Sequence, residues 1–412
     1  MRSTLAFMTI ALSASVAVPA FAAPPAAPAA TTAPTMCVSG ISKEARKALF
    51  DLQTSVVAKD ANYDVKLAAA QKAAKSADDK CFIGMMQQKA AADRKDLNGV
   101  KAAFEAQLAS GAVPATIMAD NFESLGKLQY QENSFDAASA SFERALQLSP
   151  NDASATIMLG ETRVKQSRVG EAIPLYKKAI ATELAAGRKP SEDWYKRAVA
   201  VAYNAKSAVA PSLARDWATA YPTSKNWREA IRIYSGSSNL DEASLIDLYR
   251  LARLNKALIG DSDYGRYASV ALSRGYAGEA KGVLEEGYAA NAIDRSQATL
   301  KSIYTSASAK SVGDRAGLDA QAKIALAGAA SKPAMSIGEA YFGYGDYAKA
   351  ADMFRAAKDK TGADTGLASL RLGMALAASG DKAGAKAALS AVPNGPRGEI
   401  ARYWLAYLVS RP

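Results

Sequence analysis

The chain has 412 residues, is 49% hydrophobic and 22% charged, and carries a formal net charge of +11 with no histidine anywhere. The missing imidazoles exclude Ser-His-Asp and Cys-His catalysis, histidine general bases and histidine-ligated metals. Helix formers dominate and β-branched runs are few, so the expected class is all-α.

The first segment reads as a targeting leader. Arg2 supplies a positive start, Leu5 to Val18 an apolar stretch, and Ala20-Phe21-Ala22 a small-x-small cleavage site. Residues 1–22 are therefore expected to be removed by cleavage after Ala22. The apolar run is shorter than the ~20 residues a spanning helix needs, and no later segment qualifies as a transmembrane anchor. The expected location is the periplasm, where an exported protein meets no nucleic acid. Residues 23–36 form an Ala/Pro/Thr-rich linker that cannot build a core.

Two cysteines follow, Cys37 and Cys81. In an exported chain an isolated pair is most simply a disulfide. It would staple the start of the body onto the helices of residues 37–112, expected as four at about 42–58, 61–76, 79–92 and 96–110, with Ser42 as an N-cap. Two thiols without histidine cannot complete a zinc site unless carboxylates supply the rest, so no metal is expected.

From residue 113 to 396 one pattern recurs. Phe122, Leu125, Gly126, Phe135, Ala138, Phe142, Ala145, Leu146 and Pro150 are answered by Leu159, Gly160, Val169, Ala172, Tyr176, Ala179 and Ile180. Large and small residues alternate as two packed helices require, with Gly126 and Gly160 placed where backbones would cross closely. Ile337, Gly338, Tyr341, Gly345, Tyr347, Ala350, Phe354 and Ala357 repeat the phase, followed by Leu372, Gly373, Gly380, Ala385 and Leu389. Phase marks at Gly126, Gly160, Ala198, Ile231, Ala268, Ile303, Gly338 and Gly373 differ by 34, 38, 33, 37, 35, 35 and 35, which predicts about eight units. Residues 397–412, with Tyr403, Trp404, Tyr407 and Leu408, read as a C-terminal capping helix.

These offsets resemble the tetratricopeptide repeat family. The resemblance implies an α-solenoid, a right-handed superhelix of stacked helix hairpins that binds a protein or peptide partner. It places recognition on the first helix of each unit. In this sequence those positions are Lys127, Tyr130 and Gln131, then Glu161, Val164 and Lys165, then Val199, Ala202 and Tyr203. Trp217 departs from the pattern, standing where the family has a small residue.

The basic excess is spread along the chain. Its densest cluster, Arg228, Arg232, Arg250, Arg253 and Lys256, reads as a solvated helix face. Basic faces admit an alternative function, binding of an anionic envelope polymer or lipid surface. Gly343-Tyr344-Gly345 follows a helix rather than a strand and is a repeat turn, not a dinucleotide fingerprint. Paired carboxylates are the one catalytic chemistry left, and the repeats leave no room for a domain to hold them. The expectation is a scaffold without catalysis or cofactor.

Overall fold

A computed structural model describes Cys37 and residues 39–410. The expected leader and linker lie outside the described residues. Among those residues twenty helices occur and no strand beyond one isolated bridge between Ala330 and Thr361. The chain is an all-α helical repeat solenoid.

Four helices open it: α1 (Arg46–Ala58), α2 (Tyr63–Ala73), α3 (Ala77–Asp93) and α4 (Leu97–Ser110). Cys37 and Cys81 are disulfide-bonded with Cα atoms 5.3 Å apart. Ser42 caps no helix, because α1 begins at Arg46 after Ala45 without a side-chain cap. It is drawn instead to Asp79, its hydroxyl donating to Oδ2 at 2.6 Å and its amide to Oδ1 at 3.0 Å. Asp79 also accepts from the amides of Lys75 and Ser76 at 2.8 and 2.9 Å and closes a capping box at the start of α3. Burial opposes its charge, but the Ser42 hydroxyl and these amides outweigh it and hold the carboxyl well below its usual range.

Regular hairpins follow: α5 (Ala115–Gln131) with α6 (Phe135–Leu148), α7 (Ala153–Lys165) with α8 (Val169–Ala185), and α9 (Glu192–Asn204) with α10 (Ala210–Ala220). One left-handed residue turns each hairpin: Asn133 (φ 60°), Ser167 (φ 62°) and Lys206 (φ 52°). The next amide then donates back five residues, Ser134 to Gln129, Arg168 to Arg163 and Ser207 to Ala202, at 2.8–2.9 Å. These bonds satisfy carbonyls that a helix end leaves open. The sequence period is thus a period of turns.

The array continues through α11 (Ser224–Ser237), α12 (Glu242–Leu254), α13 (Gly260–Ser273), α14 (Ala277–Ala289) and α15 (Ala298–Ala327). It ends with α16 (Ser331–Gly343), α17 (Tyr347–Lys358), α18 (Thr365–Ser379), α19 (Lys382–Ser390) and α20 (Pro396–Ser410). Glycine takes over the turn at Gly275, Gly345 and Gly380, with φ of 82°, 82° and 92°. The unit expected around Ile303 is not a hairpin. A single 30-residue helix, α15, takes its place, with Gln297 as its side-chain cap. No left-handed residue interrupts residues 298–327, so the chain has no place to reverse.

Packing is between neighbours up to α10 and then closes on itself. The last helix, α20, lies against α18 and α19 and also against α10 and α12. Tyr403 and Trp404 are fully buried there. The Tyr403 hydroxyl donates to the carbonyl of Pro211 at 2.9 Å, and the Trp404 indole donates to that of Asp247 at 3.2 Å. Trp217, the departure from the repeat pattern, is accommodated by donating its indole N–H to Glu192 at 3.1 Å.

Candidate partner-binding surface

The first helices of the three regular hairpins, α5, α7 and α9, bury one face and leave the other to solvent. On α5, Lys127 is half-buried and pairs with Glu123 one turn earlier at 2.6 Å. Tyr130 is half-buried, its ring set edge-on to Phe135 at 5.5 Å, and Gln131 is exposed. On α7, Glu161 and Val164 are half-buried and Lys165 is exposed. On α9, Tyr203 is 42% exposed, with the Arg232 guanidinium over its ring at 5.9 Å. Val199 and Ala202 are buried, contrary to the surface placement expected for them. Buried Tyr195, Ala198, Val199 and Ala202 repeat the spacing of buried Thr156, Leu159, Gly160 and Arg163 on α7, so the phase mark of α9 is Val199 rather than Ala198 and the expected surface positions are one residue out of register.

Geometry brings some of these residues together and leaves others apart. Glu161 joins three helices. Its Oε2 pairs with Arg197 of α9 at 3.1 Å. Burial raises the Tyr130 hydroxyl of α5, and the Glu161 charge adds to it. Tyr176 of α8, beneath them, is raised for the same two reasons. Lys165 and Tyr203 stand apart from this cluster. Arg197 was missed by position counting, yet a signal existed: it lies 36 residues from an opposite charge, close to one repeat.

That signal is general. Arg144 pairs with Glu105 at 3.1 Å, Arg228 with Asp263 at 2.8 Å, Arg253 with Glu286 at 2.6 Å and Arg397 with Asp364 at 2.6 Å, each about one unit away. The basic cluster is therefore no free solvated face. Arg228 and Arg253 bind neighbouring hairpins, Arg232 pairs with Glu229 at 2.6 Å, and Lys256 is a turn residue with φ 52°. Arg250 is only 1% exposed.

Arg250 belongs to a buried network that joins five helices. It grips Glu279 of α14 through two bonds of 2.8 and 2.6 Å, and Glu339 of α16 at 2.8 Å. Tyr267 of α13 donates to Glu279 at 2.6 Å. Arg371 of α18 reaches Asp247 of α12 at 2.9 Å and also pairs with Glu339. Burial pushes the Asp247 carboxyl up against the pull of Arg371 and Arg250. Burial likewise opposes the Glu279 charge, but Arg250 and Tyr267 bring that carboxyl below its usual range. Such a network is costly unless complete, so it fixes one arrangement of these helices.

Asp120, Glu123 and Asp152 gather carboxylate oxygens within 4.8 Å where α5 meets α7. Two of them already have structural work. Asp152 caps α7 through the amide of Ala155, and Glu123 binds Lys127 and Ser154.

Tetratricopeptide repeats are recognised in two stretches of the chain, residues 124–193 and 335–399, which match the family model of that description. A search of curated proteins finds no match. Among solved structures, a tetratricopeptide repeat protein from Parabacteroides merdae ATCC 43184 is similar at 11% identity, over 72% of this chain and 99% of that one, with a TM-score of 0.27. The Pseudomonas aeruginosa pilF structure is similar at 14% identity, over 56% of this chain and 90% of that one, with a TM-score of 0.25. The repeats support a role as a protein-interaction scaffold, and no described helix is long and apolar enough to cross a membrane.

Proposed function

We propose that this chain is an exported, non-catalytic scaffold that holds a protein or peptide partner along the inner curve of the solenoid, on the solvent-facing side of α5, α7 and α9. The observation that carries the reading is the cluster of Tyr130, Glu161 and Arg197 across α5, α7 and α9, with Gln131, Lys165 and Tyr203 exposed on the same three helices. It offers aromatic area and long polar side chains on rigid helices whose opposite faces are locked in the core. Export draws support from the leader-like residues 1–22 and from the Cys37–Cys81 bond, which suits an oxidising compartment.

Crosslinking in intact cells followed by mass spectrometry would identify the partner. Calorimetry with the purified partner then tests the surface. Replacing Tyr130, Lys165 and Tyr203 together by alanine is expected to weaken binding by about tenfold or more, given what central interface side chains contribute. Unchanged affinity would remove this surface from consideration. A mature chain that still begins at Met1 would remove export.

A further inference from the structure

A second site lies in the C-terminal half, away from α5, α7 and α9. A cavity of about 470 Å³ opens between α12, α14, α15 and the turn from α16 to α17. Small-molecule sites fall in that size range. Three cations from three different helices line it: Arg253 of α12, Lys281 of α14 and Arg315 of α15, against one carboxylate, Glu285. Glu286 and Asp346, which pair with Arg253 and Arg315, bring the local balance to neutral.

The wall is held in place by packing. The Tyr344 ring lies on Gly278, where a Cβ would fall 2.3 Å from it, so that glycine is required for the ring to sit there. The Tyr344 hydroxyl donates to the Ser311 carbonyl at 3.2 Å, and the Arg315 guanidinium stacks over the ring at 4.8 Å. Arg253 spends its Nε on Glu286 at 2.6 Å, while its Nη2 reaches the wall beside Gly282. The other two cations hold their acids loosely: Lys281 is 3.7 Å from Glu285 and Arg315 is 3.4 Å from Asp346. A charge-assisted bond is ordinarily about 2.7–2.9 Å. Both cations can therefore turn to a stronger anion at small cost.

We propose that this cavity binds a phosphomonoester. The compact dianion takes its donors from Arg253, Lys281 and Arg315, which line the cavity from three helices. The remaining volume, beside Tyr344 and the exposed Val312, takes the organic group.

The test is calorimetric titration of the full chain with glycerol 3-phosphate, inorganic phosphate and chloride at matched ionic strength, at about pH 8 where the monoester is dianionic. Glycerol 3-phosphate should bind at least as tightly as inorganic phosphate, and chloride should give no signal. Lys281→Ala combined with Arg315→Gln changes two partly exposed side chains and should weaken the ester about tenfold or more. Gly282→Leu, whose new Cβ would meet nothing nearer than 3.8 Å, should block the cavity and abolish binding. No ester binding, binding of inorganic phosphate alone, or unchanged affinity in either variant would overturn the proposal.

Discussion

At Gly126 an added Cβ would fall 2.7 Å from the ring of Phe142, and at Gly338 it would fall 2.6 Å from that of Phe354. The two glycines and their rings are each 16 residues apart in sequence, as are Gly160 and Tyr176. Yet at Gly160 the nearest atom would be 3.5 Å away, which is ordinary contact. What excludes a side chain at Gly126 and Gly338 is thus an aromatic ring rather than the crossing backbone expected, and at Gly160 neither does so, the Tyr176 ring standing further off with its hydroxyl toward Glu161. Alanine at Gly126 or Gly338 should cost about 1–3 kcal/mol through overpacking. Alanine at Gly160 should be neutral or stabilise by up to about 1 kcal/mol, because it removes a mid-helix glycine. Urea denaturation of the three single variants decides this, and equal losses at all three would contradict the assignment.

Between elements, the charged residues do two different jobs. Pairs one repeat apart, such as Arg197 with Glu161, are partly exposed and stitch successive hairpins at modest gain. The network of Asp247, Arg250, Glu279, Glu339 and Arg371 is buried and ties α12 to α14, α16 and α18. Arg371→Ala would leave the buried Asp247 and Glu339 to share Arg250 with Glu279, three carboxylates on one guanidinium, and a loss of about 3–5 kcal/mol is expected. Arg355→Ala, which breaks the exposed pair with Asp352, should cost less than about 1 kcal/mol. Chemical denaturation of both variants checks the contrast; a small loss at Arg371 would mean the network is not what closes these helices. In sequence Arg250 looked like one more surface arginine, because its partners lie 29 and 89 residues away on other helices.

Over the whole molecule, the two halves are built differently. One core runs from Cys37 to Ala155 and is sewn by neighbour contacts and the disulfide. The other runs from Ala153 to Tyr407 and depends on α20 filling the space beside α10, α11 and α12. Ending the chain at Gly395 would remove Ile400, Tyr403 and Trp404, all fully buried, and should destabilise the second core by more than about 5 kcal/mol. Amide exchange should then accelerate in α10 to α12 while α3 to α7 keep their protection. A uniform response along the chain would show that the halves are a single cooperative unit.

Spacing and composition alone carried the helical class, the hairpin period at 119–184 and 331–392, and the placement of Tyr130 and Lys165 on the solvent side of α5 and α7. All of these depend on contacts within one or two repeats, where helix geometry converts residue number directly into position. What the tertiary structure decided are contacts across 128 to 192 residues, Arg371 to Ala243 and Tyr403 to Pro211 among them. Those follow from small rotations accumulated from one hairpin to the next and from the unbroken α15, and no local pattern records that sum.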